Sequence, residues 1–282
     1  MEDYSVIGSV IAIFTTLVTY KGLKDREFFE DYVFEIDPIL IDKEYKRLFT
    51  SGFLHANWVH LAFNLIALLS FSTIMELLFG PGKFLLLYFG SMLGGSLLAL
   101  FVHRNHSDYS AVGASGAVSG IIFSYIILDP TGKLSFILIP IDFPAWALGI
   151  AFVIISIFGI KSQSDNIGHD AHLGGAVVGA LMTIAMYPSV LSRNLWIIIA
   201  LLVPSIAFII LIIRNPNVLL IDQYWGDNIE NLKDQIKNPG RPRKYAPTPE
   251  EELDELLDKI RRNGINSLSD KERKRLDELS GE

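Results

Sequence analysis

The sequence contains no cysteine among its 282 residues. Disulfide bonds, thiol catalysis and cysteine ligands for a metal are therefore excluded. Basic residues are also in the minority, because 24 lysines and arginines stand against 31 aspartates and glutamates. The resulting net charge of −7 gives no electrostatic basis for binding nucleic acid, which is excluded as a partner.

Charged residues are missing from long stretches of the chain, and half of all residues are hydrophobic. A helix that crosses a bilayer needs about 20 mostly apolar residues. Seven stretches approach this length: Tyr4–Tyr20, Trp58–Phe79, Phe84–Val102, Ala111–Leu128, Phe143–Ile160, Ala171–Tyr187 and Leu195–Ile213. The sequence therefore predicts an all-α, polytopic membrane helix bundle, and the lipid bilayer is its expected surroundings.

The connections between the predicted spans differ greatly in length. The first, Lys21–Phe53, mixes aromatic and aliphatic residues with many charges, which is typical of a segment lying at the membrane interface. The later connections are short, and Gly80-Pro81-Gly82 marks a tight turn between the second and third spans.

The composition becomes polar and charged after the seventh span. We predict a membrane domain at 1–214, a linker at 215–247 and an amphipathic helical tail at 248–282. Two helix starts are indicated in the tail by capping boxes, Thr248-Pro249-Glu250-Glu251 and Ser269-Asp270-Lys271-Glu272. The tail is therefore expected to form a short helical hairpin, and the sequence does not identify what it contacts.

Four polar residues lie near the starts of alternate spans. Consecutive spans alternate in direction, so the second, fourth and sixth all start on the same face of the membrane. His60 and Asn64, then Ser115, then His172 occur near those three starts. His60 and Asn64 are four residues apart and share one helix face. The four side chains are thus expected at one depth.

Two pairs of glycines at helical spacing accompany the serine and the last histidine. One pair is Gly116 and Gly120, and the other is Gly175 and Gly179. Small residues at this spacing let membrane helices approach closely. We therefore expect the fourth and sixth helices to make contact near their starts. That contact would bring a hydroxyl beside an imidazole, as base-activated nucleophilic attack requires.

Four stretches of the chain carry a resemblance to a known family. They read RLFTSGFLHANWVHLAFN (Arg47–Asn64), MELLFG (Met75–Gly80), GASGAVSG (Gly113–Gly120) and AHLGGAVVGA (Ala171–Ala180). In this combination and order the sequence resembles the rhomboid family of intramembrane serine proteases. The resemblance implies a six-helix core at about 46–187 and an extra seventh helix at about 195–213, as in six-plus-one members. The tail looks like one attached to some bacterial rhomboids.

The resemblance implies a role for each of the four polar residues. Ser115 matches the nucleophile, and His172 matches the general base. His60 and Asn64 match side chains that help to bind the oxyanion together with the backbone amide of Ser115. Asp170 lies only two residues from His172 and should face elsewhere on a helix, so a Ser–His dyad is expected.

Three glycines are expected to support the site: Gly113, Gly116 and Gly175. Some family members carry an aromatic residue four positions after the nucleophile, where it supports the base. This chain has Ser119 there, so the support for the base must come from elsewhere. Glu76 matches an acidic residue near the inner end of the second helix, and we assign it no chemistry.

The implied reaction is hydrolysis of membrane-spanning protein substrates whose helices are weakened by glycine, proline or polar residues. No cofactor and no metal are expected. The implied location is the bacterial cytoplasmic membrane, where the protein would be an integral, multi-pass component.

Two other functions are compatible with these residues. All six histidines are expected on the same face, as in a seven-helix metal hydrolase: His55, His60, His103, His106, His169 and His172. The H-E-x-x-H motif of zinc hydrolases is absent, however. A catalytically silent rhomboid-like protein that binds membrane proteins is the second alternative, although such a protein need not keep both Ser115 and His172.

Overall fold

The structure is a computed structural model that describes residues 5–107, 109–136, 139–162 and 167–214, together with Leu256, Lys259, Ile260 and Leu276. Its helices are α1 (Val6–Lys24), α2 (Arg26–Tyr32), α3 (Ile36–Leu40), α4 (Arg47–Thr50), α5 (Trp58–His103), α6 (Ser115–Leu128), α7 (Ala145–Ser162), α8 (His169–Met186), α9 (Val190–Arg193) and α10 (Leu195–Arg214). A 3-10 helix covers Ser51–Phe53. The strands are β1 (Phe34–Glu35), β2 (Ser110–Ala111), β3 (Lys133–Phe136) and β4 (Ile139–Pro144).

The helices confirm the predicted all-α, polytopic membrane bundle. By length and composition, α1, α5 and α10 are able to cross a membrane, and α6 and α7 are shorter apolar helices. Helix α5 has 46 residues and combines the second and third predicted spans. The chain leaves helical geometry at Gly80, where φ is 71° and ψ is 164°, so the two spans meet at the expected glycine–proline turn.

The fourth predicted span begins later than expected. Its helix, α6, starts at Ser115 rather than at Ala111, so the predicted boundary is wrong. Ala111 belongs to β2 and pairs antiparallel with Phe34 of β1. Gly113 then has a φ of +128°, a conformation that residues with a side chain rarely adopt. These two features keep the chain out of helical geometry through Gly113, and Ala114 then leads into α6.

Helices α5, α6 and α8 form the centre of the bundle, and α1, α7 and α10 pack around them. Large apolar side chains on α1, α5 and α10 point outward: Val10, Phe14, Leu17, Phe63, Leu77, Ile199 and Val203 are among the exposed ones. An apolar outer surface suits a bundle whose surrounding solvent is lipid. The four polar residues predicted to form a site belong to the three central helices: His60, Asn64, Ser115 and His172.

The long connection between α1 and α5 is organised around a buried arginine. Arg47 donates from Nη1 to the carbonyl oxygens of Glu30 (2.6 Å) and Val33 (2.8 Å), and from Nε to Glu44 Oε2 (2.6 Å). The connection also presents exposed apolar side chains: Leu40, Ile41, Tyr45 and Phe49. A buried arginine beneath a surface that mixes exposed apolar and charged side chains is compatible with the predicted position at the membrane interface.

The chain divides into two compact units, residues 1–220 and 221–282. In the second unit the four described residues are helical, and Leu256 is buried. The predicted linker at 215–247 and both predicted capping boxes of the tail lie outside the described residues.

Candidate functional site

The first turns of α6 and α8 are in backbone contact. A β-carbon built on Gly175 would lie 2.0 Å from the carbonyl oxygen of Gly116, and one built on Gly179 would lie 2.4 Å from that of Gly120. A β-carbon on Gly116 would in turn lie 3.2 Å from the carbonyl oxygen of Ala171. The expected contact between α6 and α8 is therefore present. It includes Gly116, which follows Ser115, and Ala171, which precedes His172.

Ser115 is the first residue of α6. The first amides of a helix have no partner within the helix, and the helix dipole places partial positive charge there. An oxyanion formed at the serine would therefore meet donors that the helix leaves available. Ser115 is only half-buried, whereas the five following residues, 116–120, are all buried. Ser115 is thus the accessible residue within 115–120.

His60 lies directly beside the loop that leads into Ser115. A β-carbon on Gly113 would come within 2.8 Å of His60 Cε1 and 2.9 Å of His60 Nε2, and it would lie 3.7 Å from Ser115 Oγ. The missing side chain of Gly113 therefore makes room for the imidazole and the hydroxyl together. Gly113 is required both for this space and for its positive φ.

Asn64 lies one turn further along α5 and is buried. Its Nδ2 donates to the carbonyl oxygen of His60 at 3.0 Å. A side-chain amide carries two hydrogens, so this bond leaves one donor for another partner. Asn57 caps the helix, since its Oδ1 accepts from the amide of His60 at 2.9 Å. This cap fixes the start of α5, which lies beside the loop that contains Gly113.

His172 lies in the first turn of α8 and is half-buried. Its ring is 6.2 Å from the ring of Phe152 on α7, measured between centroids. Ser119, in the position where some rhomboids have an aromatic residue, is buried and leaves the imidazole without that neighbour. The aromatic neighbours of the imidazole include Phe152 and also His169, whose ring lies 6.1 Å away between centroids. Sequence reasoning missed Phe152, because nothing distinguishes it within the apolar run of its helix.

Asp170 faces away from His172, as the spacing indicated. Its Oδ2 lies 2.9 Å from Nε2 of His103 at the end of α5, and both side chains are buried. The ring of Tyr109 stacks on that of His103 at 3.5 Å. Burial and then the charge of Asp170 raise the pKa of Tyr109 well above its ordinary value. This cluster joins the end of α5 to the start of α8.

Within the part of the chain that the structure describes, no three histidine, aspartate or glutamate side chains are arranged to hold a metal ion. Glu76 has a different structural role. Its Oε2 accepts from the amide of Ile7 at 2.9 Å and from the hydroxyl of Ser5, so it caps the N-terminal end of α1.

Comparison with protein families gives two matches. A model described as the rhomboid domain matches residues 42–189, which is more than half of the chain and contains all four polar residues of the site. A second model, a family of unknown function (DUF6576), matches residues 247–282.

Among curated proteins, the chain is 32% identical over 191 residues to RHOMBOID-like protein 12, mitochondrial, of Arabidopsis thaliana, covering 62% of this chain and 56% of that protein. It is 30% identical over 183 residues to rhomboid protease GluP of Bacillus subtilis, covering 65% and 34%. It is 31% identical over 153 residues to rhomboid protease AarA of Providencia stuartii, covering 48% and 53%. The chain spans about half the length, or less, of the curated relatives it matches.

Proposed function

Because the chain belongs to the rhomboid family, we propose that it is an intramembrane serine endopeptidase whose catalytic pair is Ser115 and His172. The observation that carries the proposal is the backbone contact of α6 and α8 at Gly116, Ala171 and Gly175. A nucleophile and a base must lie within hydrogen-bond reach in the reacting complex. The backbone contact between the starts of α6 and α8 supports such an approach of Ser115 and His172.

The proposed reaction begins when His172 accepts the proton of the Ser115 hydroxyl. The serine oxygen attacks the carbonyl carbon of the scissile peptide and forms a tetrahedral oxyanion. His172 then gives its proton to the leaving amine, and the peptide bond breaks to leave an acyl-enzyme. Water, activated by His172, hydrolyses the ester and restores the serine. Half-burial of both side chains supports access by water.

The oxyanion would be bound by the backbone amide of Ser115 together with His60 and Asn64. The position of the His60 ring beside Gly113 and the unused amide hydrogen of Asn64 support this assignment. Donors fixed in advance in a site of low dielectric constant stabilise such a charge without reorganisation.

The proposed substrates are membrane proteins whose transmembrane segment contains glycine, proline or polar residues near the face of Ser115. Peptide carbonyls within a helix are hydrogen-bonded and shielded, so the segment must unwind before a serine can attack. Residues that weaken a helix lower the free energy of that unwinding.

The protein is an integral, multi-pass membrane protein, and we place it in the bacterial cytoplasmic membrane. The relatives from Bacillus subtilis and Providencia stuartii support this location, whereas RHOMBOID-like protein 12 of Arabidopsis thaliana is a mitochondrial relative. Fractionation of cells that express the full chain, with detection of the chain in the inner-membrane fraction, tests it. Recovery in another membrane would contradict it.

The experiment that tests the proposed activity is cleavage of a panel of tagged single-span membrane proteins by purified full-length protein. Ser115→Ala and His172→Ala should each abolish cleavage while the thermal midpoint stays near that of the wild type. The two losses should not add in the double variant, because the residues act as a unit.

Ser119→Ala is the matched control, since it removes a hydroxyl one turn further along α6 and should keep activity. Cleavage that survives Ser115→Ala would contradict the proposal, and complete inhibition by a chelator would favour the metal-dependent alternative. Wild-type protein that captures panel members without cutting them would instead indicate the catalytically silent binder.

A further inference from the structure

One fully buried histidine outside the proposed catalytic set lies against the loop that carries the nucleophile. His55 lies in the connection before α5, with no accessible surface. The backbone amide of Ala114 donates to its Nε2 at 3.4 Å, and Thr19 Oγ1 on α1 lies 3.0 Å from its Nδ1. The imidazole therefore connects α1 to the residue immediately before Ser115.

The hydrogen bonds around His55 agree with a single tautomer. The hydroxyl of Thr19 has one hydrogen, and it donates this hydrogen to the carbonyl oxygen of Phe53 at 3.0 Å. Its oxygen can then only accept from His55, so Nδ1 carries the proton. Nε2 is left as an acceptor, and the amide of Ala114 can only donate. Each partner thus requires the same neutral imidazole.

Burial, with a smaller contribution from the charge of His60, lowers the pKa of His55 to about 3. The neutral form is therefore maintained at physiological pH, and Nε2 stays available as an acceptor.

His55 also contacts the second part of the proposed oxyanion site. Its ring meets that of His60 edge to face, with centroids 4.9 Å apart. The neighbouring amide, that of Gly113, donates to the carbonyl oxygen of Ser51 at 3.0 Å. The amides of Gly113 and Ala114, the two residues before Ser115, are thus hydrogen-bonded to Ser51 and His55 respectively. The ring of His55 also contacts that of His60.

We propose that His55 is a positioning residue, which fixes the peptide plane at Ala114 so that the amide and hydroxyl of Ser115 face the scissile carbonyl. Thr19 fixes the tautomer that makes this possible. The inference rests on the proposed function, since the orientation matters only if Ser115 is the nucleophile. A misplacement of about 1 Å in a catalytic group can cost on the order of 100-fold in rate.

The test compares His55→Gln with His55→Asn in the full-length protein. A glutamine amide reaches the position of Nε2 and can accept from Ala114, whereas an asparagine amide reaches only the position of Nδ1 and can only replace the bond to Thr19. We expect His55→Gln to keep kcat within about threefold and His55→Asn to lower it by about 10- to 100-fold, less than the full loss of an oxyanion donor. KM and the thermal midpoint should differ little between the two variants.

A second pair of variants tests the tautomer. Thr19→Ser keeps the hydroxyl and should keep kcat, while Thr19→Val removes it, frees Nδ1 and should lower kcat. Thr16→Val is the matched control, because among the described residues the hydroxyl of Thr16 bonds within its own helix, to the carbonyl oxygen of Ala12 at 2.8 Å. Equal activity of the glutamine and asparagine variants, or losses that follow the thermal midpoint, would overturn the proposal.

Amide hydrogen exchange at Ala114 separates this inference from the proposed activity, because it needs no substrate. The amide should exchange slowly in the wild type and in His55→Gln, and at least tenfold faster in His55→Asn. Slow exchange in all three proteins would overturn the positioning role even if the wild type cleaves. Fast exchange confined to His55→Asn would support it even if no substrate is cut.

Discussion

Ser115 and His172 are both half-buried, whereas three residues beside them are buried: Ala114, Gly116 and Leu173. At the scale of single residues, their proposed roles depend on the side chains that orient them and on those that bind the oxyanion. His60 and Asn64 are the two side chains proposed to bind the oxyanion beside Ser115. Helix parity and spacing in the sequence singled them out, and the resemblance to the rhomboid family implied their oxyanion role. The bond from Asn64 to the carbonyl oxygen of His60 was not foreseeable, because a side-chain rotamer depends on neighbours that only the fold supplies.

His60→Ala and Asn64→Ala are expected to lower kcat by about 10²–10³, because each removes a donor to the oxyanion. KM should change little, since the charge exists only near the transition state. Stability should fall by no more than one hydrogen bond, about 0.5–1.5 kcal/mol. Turnover and thermal unfolding are measured on the same purified sample.

Asn57→Ala provides the contrast, because it removes the cap of α5 and costs about 1 kcal/mol of stability without removing an oxyanion donor. If the His60 and Asn64 variants instead lose activity only in proportion to the unfolded fraction, the oxyanion assignment is wrong.

Phe152 is expected to orient His172 through the contact of their rings. An aromatic pair contributes about 0.5–1.5 kcal/mol beyond burial, which corresponds to a change of about 2- to 12-fold in rate if it is lost. Phe152→Leu should lower kcat by this amount, whereas Phe152→Tyr should retain it. Steady-state kinetics of the two variants decide the point, and equal kcat values for the leucine and tyrosine variants would contradict the role of the ring.

At the scale of elements, the crossing of α6 and α8 depends on glycine. A β-carbon at residue 175 would lie 2.0 Å from a backbone oxygen, which cannot move without displacing its helix. Gly175→Ala should therefore destabilise the protein by at least the 1–3 kcal/mol or so typical of overpacking, and it should abolish cleavage.

Gly82→Ala is the matched control for this substitution. A β-carbon at Gly82 meets nothing within 4 Å, and this alanine should leave the thermal midpoint unchanged. A Gly175→Ala protein with wild-type stability would show that the two helices are further apart than described.

The spans and the glycine–proline turn of α5 were predictable because lipid requires long apolar helices and glycine tolerates a positive φ. The pairing of β1 with β2 was not predictable, since each strand has only two residues and the paired residues Phe34 and Ala111 lie 77 positions apart. The late start of α6 follows from that pairing and was missed with it. His55 was noted only as one of six histidines, because its hydrogen-bond partners, Thr19 and Ala114, come from two distant segments.

At the scale of the whole molecule, the alternating direction of the spans is testable because the chain has no cysteine. Single cysteines are introduced in place of exposed lysines at Lys24, Lys83, Lys133 and Lys161. The expected topology places Lys24 and Lys161 on one face of the membrane, and Lys83 and Lys133 on the other. In sealed vesicles of uniform orientation, a membrane-impermeant maleimide should therefore label the cysteines of one of these two pairs and not those of the other. Labelling of one member from each pair would contradict the topology that brings Ser115 and His172 to one face.

The central claim is that Ser115 is a nucleophile activated by His172. Its most direct test is covalent labelling of the purified full-length protein by a fluorophosphonate, with the modified residue located by mass spectrometry. The account predicts one modified residue, Ser115, with labelling lost in Ser115→Ala and slowed by orders of magnitude in His172→Ala. Modification at another residue, or an unchanged labelling rate in a folded His172→Ala protein, would contradict it.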